Sequence, residues 1–77
     1  MRIWKFIIPA DDAREDGAGN VWMGMGAAVV AESEGDAREA LRVYASLHAD
    51  GHAGWLAVAD VTNLAIEAGA VALWTEV

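Results

Sequence analysis

The segment from Asp36 to Gly51, DAREALRVYASLHADG, constrains the fold most, because it is the one stretch with a clear helical period. Ala37, Ala40, Leu41, Tyr44, Leu47 and His48 recur at helical spacing, while Arg38, Glu39, Arg42 and Ser46 fall on the other side. Asp36 with Glu39 three places on reads as a capping box, in which each side chain satisfies an orphan backbone donor. Gly51 follows Asp50 where a left-handed C-terminal cap would sit. One amphipathic helix needs an apolar partner surface, and the rest of the chain reads as strands.

Met1 to Ile8 alternates with a two-residue period, Trp4, Phe6 and Ile8 on one side and Met1, Ile3, Lys5 and Ile7 on the other. Asn20 to Ala31 is a second strand, rich in Val and flanked by turn formers. Gly54 to Asp60 reads as a third, with Val61 to Asn63 as its turn. From Leu64 to Val77, Gly69 either bends one long strand or separates two short ones; the single bent strand is preferred. The expected architecture is α+β, ββαββ, a four-stranded antiparallel sheet with the helix on one face. Trp55 and Trp74 are expected to pack against that helix.

With 77 residues and no cysteine, the chain makes a single domain spanning residues 1–77, without disulfides, thiolate metal sites or a cysteine nucleophile. The apolar share, 56%, argues against disorder. The apolar part of the opening is broken by Lys5 and ends at Pro9, too short for a signal peptide, and no stretch approaches a membrane span. The reading is a soluble cytoplasmic protein. Both faces of the sheet look apolar, so the face the helix leaves open is expected to be buried either in a homodimer or under loops.

The remaining motifs carry no chemistry. His48 and His52 stand four apart, but Gly51 interrupts the helix between them and only Asp50 could add a third ligand, so no metal is expected. GMGAAV from Gly24 lacks the third glycine of a dinucleotide fingerprint and lies in a strand pattern, where close packing beneath the helix accounts for it. Ser33, Ser46, Thr62, Thr75 and Tyr44 belong to no nucleophile motif. No enzyme activity and no cofactor are expected.

Charge is the remaining signal. The net charge is −7, and the few bases are scattered, so direct nucleic-acid binding is disfavoured and a basic partner is favoured. Asp11, Asp12, Glu15 and Asp16 crowd the loop between the first two strands, and Glu32, Glu34, Asp36 and Glu39 run from the second strand into the helix. That loop, Pro9 to Asn20, is longer than a hairpin connection needs. Such carboxylates, held outward on a rigid frame, can occupy a groove built for phosphates.

In DDAREDG and ESEGDARE on a compact strand-and-helix frame, the chain resembles the small acidic phage-encoded anti-CRISPR proteins. The resemblance implies a protein that acts in the host cytoplasm, binds a CRISPR effector complex of the type I Cascade kind and blocks target DNA. The eight carboxylates are the expected contacts. The competing expectation is an interaction module that dimerises through its apolar sheet face, with charge serving solubility alone.

Overall fold

The first strand, β1 (Arg2–Ile8), lies at the centre of an antiparallel sheet between β4 (Met25–Ala31) and β5 (Asp60–Ala65). The computed structural model describes residues 1–48 and 53–66. Between β1 and β4 the chain makes a separate two-stranded ribbon, β2 (Arg14–Glu15) with β3 (Val21–Trp22), and helix α1 (Glu34–His48) follows β4. The register pairs Arg2 with Ala31 and Ile8 with Met25 on one side, and Arg2 with Ala65 and Ile7 with Asp60 on the other.

The alternation of β1 decides the layers. Phe6 and Ile8 are fully buried, and with Ala31, Ala37, Trp55 and Leu56 they form the core against which Trp4, Trp22, Val29 and Leu41 pack. Complete burial of two such side chains contributes about 1.5–3 kcal/mol each. Helix α1 rests on β4 through Ala37 and Ala45, its buried residues, with Leu41 half-buried between them. Small residues let the helix approach closely.

Several expectations are corrected. The described residues form a three-stranded antiparallel sheet plus a two-stranded ribbon, and most of the last strand of the expected four lies outside them. The segment read as a third strand is instead a 3-10 turn, Gly54–Ala57, in which Trp55 and Leu56 are both buried. Adjacent side chains of a strand point to opposite faces, whereas the 3-10 turn brings Trp55 and Leu56 into the same core. The residues read as a turn, Val61 to Asn63, are the middle of β5, where Asn63 accepts a hydrogen bond from Arg2 at 2.6 Å.

The expected strand from Asn20 to Ala31 is broken at Gly24, whose φ of +64° is a left-handed conformation that glycine adopts at little cost. The break changes the parity of the alternation. Trp22 packs on the core while Val21 and Met23 are exposed, and beyond Gly24 it is Met25, Ala27 and Val29 that pack inward. Gly26 lies on the face away from the helix, not beneath it: a Cβ there would come within 3.2 Å of Ile7 Cδ1.

Asp36 is not the N-cap. Ser33 is: its Oγ accepts from the Asp36 N–H at 3.1 Å, and its carbonyl accepts from the Ala37 N–H. Along α1, Arg38 faces the core side expected to be apolar, whereas Ala40, Tyr44 and Leu47 are exposed. Residues Gly51, His52, Gly69 and Trp74, and the strand expected beyond Ile66, lie outside the described residues.

Candidate functional site

At the end of the sheet where β1 runs out, Pro9 accepts from the N–H groups of both Asp12 and Gly24, which curls the chain into the ribbon. Asp16 then organises the turn. Its carboxylate accepts from Trp22 Nε1 at 2.8 Å, from the Ala18 N–H at 2.8 Å, and from the Asn20 backbone and side-chain amides at 3.3 and 3.2 Å. The Trp22 hydrogen bond, followed by that from Ala18, lowers the pKa of Asp16 from 3.8 to about 2. A half-buried aromatic packed on the core therefore anchors an acidic loop. Gly54 lies directly beneath, since a Cβ there would sit 2.7 Å from Asp16 Oδ2.

Arg14 provides the second anchor. It donates to Asp12 Oδ2 at 2.7 Å, to both oxygens of Asp60 at 2.9 and 3.0 Å, and to the Val58 carbonyl at 2.7 Å. The hydrogen bond from Arg14 lowers the pKa of Asp60, and Asp60 and Asp12 together raise that of the guanidinium. One arginine thus ties the loop to the start of β5. Arg38 plays a matching part on the other side, donating to the Leu56 carbonyl at 2.7 Å while its guanidinium lies 5.1 Å over the Phe6 ring. Leu56 and Val58 lie at the C-terminal side of the 3-10 turn, where carbonyls need donors from outside the backbone ladder. The two arginines supply them.

The eight carboxylates divide between the two ends of the sheet, because β4 separates Met25 from Ala31 by about 20 Å at 3.4 Å per residue. Asp11, Asp12, Glu15 and Asp16 gather at the ribbon end. Asp11 and Glu15 are exposed and form no ion pair among the described residues. At the other end, Glu34 pairs with Arg38 at 3.0 Å, Glu39 with Arg42 at 2.6 Å, and Glu32 stands 3.7 Å from the terminal amine of Met1. Hydrogen bonding to Arg42 lowers the pKa of Glu39. Asp36 is exposed in the first turn of α1, where the helix dipole favours a negative charge.

Asp60 joins the ribbon end although it is far away in sequence. It arrives through the pairing of Ile7 with Asp60, a consequence of strand order that no local pattern carries. Among the described residues, five carboxylates then share that end with one guanidinium. Among the described residues the helix end is far closer to balance, with Arg2, Arg38, Arg42 and the terminal amine against Glu32, Glu34, Asp36 and Glu39.

Among the described residues no group of three or more His, Cys, Asp or Glu could hold a metal ion, and no helix is long and apolar enough to cross a membrane. Comparison with known protein families, curated proteins and solved structures finds no match to this chain.

Proposed function

We propose that this protein is a non-enzymatic acidic inhibitor that docks its ribbon end into a basic nucleic-acid-binding groove, that of a CRISPR effector complex of the type I Cascade kind, and so blocks target DNA. The observation that carries this reading is the set Asp11, Asp12, Glu15, Asp16 and Asp60 brought to the ribbon end, with Asp12 and Asp60 paired to Arg14 and Asp16 held by four hydrogen bonds. A phosphate-binding groove attracts fixed negative charge at separations comparable to those along a duplex. Asp11 and Glu15 project without internal partners among the described residues and make the principal contacts. The segment Glu32, Glu34, Asp36 and Glu39 contributes at most a second, weaker contact, because its charge is largely offset within the fold.

The experiment is a target-DNA binding assay with purified type I Cascade, titrated with this protein and with the double variant Asp11→Asn/Glu15→Gln. Wild type should abolish DNA binding, and the variant should need at least about tenfold more protein, with inhibition falling as salt rises. Undiminished DNA binding at saturating wild-type protein would overturn the reading.

A second reading rests on a different observation. Across the face turned away from the helix, Ile3 pairs with Val30 and with Leu64, which are 56% and 46% exposed, giving an apolar row over all three strands. A chain with such a surface is an interaction module that associates with its own copies.

A further inference from the structure

We infer that the hollow beside Ile7, at the ribbon end of the sheet, receives an apolar side chain of a basic protein segment, whose flanking lysines or arginines meet the surrounding carboxylates. The inference rests on the first reading above, that the ribbon end docks on a basic partner, and names what that partner presents there.

Two glycines open the hollow. Ile7 of β1 stands opposite Gly26 of β4, which has no side chain to fill the space beside it, and a Cβ at Gly26 would lie 3.2 Å from Ile7 Cδ1. The Gly24 N–H donates to the Pro9 carbonyl, and a Cβ at Gly24 would lie 3.8 Å from Ala10 Cα. The space left is about 350 Å³, and its lining, residues 7 to 10 and 24 to 26, has no ionisable side chain. Ala10 and Gly26 are exposed, so the hollow opens to solvent. Its size is at the small end of ligand pockets, which span roughly 300–1,000 Å³, and suits a large side chain better than a cofactor.

The charge around the hollow selects its occupant. Asp11 follows Ala10 directly, the Asp12 N–H is held by the Pro9 carbonyl, and Asp60 stands opposite Ile7 on the side away from Gly26. Among the described residues Arg14 pairs with Asp12 and Asp60, while Asp11 is exposed without an ion pair. Lys5 lies two residues back along β1 on the face of Ile7, so the cations of an occupant turn away from it toward the ribbon. An acidic segment, a nucleic acid or a second copy of a chain with net charge −7 is repelled by this rim. A neutral apolar segment would strip water from the carboxylates without replacing it, and a wholly polar cation cluster would leave the apolar lining wet. A basic segment with an apolar side chain between its cations meets both demands. Interfaces place such an anchor in a central pocket ringed by polar contacts; the anchor governs dissociation and the rim charges govern association.

Binding kinetics on immobilised, purified type I Cascade test this. Wild type is compared with Ala10→Gln and Ile7→Thr, which make the lining polar without changing its charge, and with Asp11→Asn as the rim control. Ala10 and Asp11 are exposed, and far-UV circular dichroism would verify that every variant folds. The expected result is a dissociation rate raised at least about tenfold in Ala10→Gln and in Ile7→Thr, with association rates within about twofold of wild type. Asp11→Asn should instead slow association and weaken its dependence on salt. Wild-type binding with a dissociation rate unchanged by Ala10→Gln and Ile7→Thr would overturn the hollow as an anchor site while leaving the acidic docking standing. No binding of wild type to Cascade at any salt concentration would overturn both.

Discussion

Asp16 satisfies two backbone amides of a turn that lacks a regular ladder, and in the same stroke holds the indole N–H of a tryptophan packed on the core. Each of these bonds is stronger to the ionised form, which is why the pKa lies near 2 rather than at 3.8. A depressed carboxylate contributes stability that is fully present above its unfolded pKa and is lost as pH falls through the folded one. For Asp16 that window runs from about pH 4 down to about pH 2. Asp60 and Glu39, also lowered by their arginines, act in the same direction. Asp16→Asn should therefore lower the melting temperature by a few degrees at pH 7, and thermal unfolding followed by circular dichroism should show that gap narrowing below pH 4. A gap unchanged at pH 2 would mean that the charge is irrelevant to the turn. None of this was legible in the sequence, where Asp16 is one acid among four; its partner Trp22 is six residues on, across a turn whose geometry depends on Gly17 and Gly19 at positive φ.

At the scale of elements, what the sequence reveals depends on how local the cause is. β1 and α1 are legible because their periods are carried by contiguous residues. The start of α1 is less so: Asp36 and Ser33 are both good caps, and the structure uses Ser33, which leaves Glu34 and Asp36 in the first turn where the dipole favours them. Ser33→Ala should cost about 1 kcal/mol in chemical denaturation, the usual loss for an N-cap hydroxyl. Asp36→Ala should cost less, and the opposite ranking would restore the capping box first read from the sequence. The 3-10 turn and β5 are not legible locally. GWLAVAD has the composition of a strand, and the turn forms because Trp55 and Leu56 both reach the core while Arg14 and Arg38 take up the carbonyls it exposes.

For the whole molecule, the overall class, α+β with an antiparallel sheet and one helix, follows from periodicity and composition. The distribution of charge does not. The two acidic clusters look alike in sequence, yet the fold offsets one with Arg38, Arg42 and the terminal amine, and enlarges the other with Asp60. Arginines that read as scattered surface charge are structural clamps. The proposed inhibition therefore depends on a ribbon that holds its carboxylates in place, through Asp16 on Trp22 and Arg14 on Asp60. Amide nitrogen-15 relaxation of residues 11 to 22 tests that claim most directly. Order parameters near 0.85, the value of rigid backbone, are the expected result, and values below about 0.6 across the ribbon would contradict a fixed acidic array.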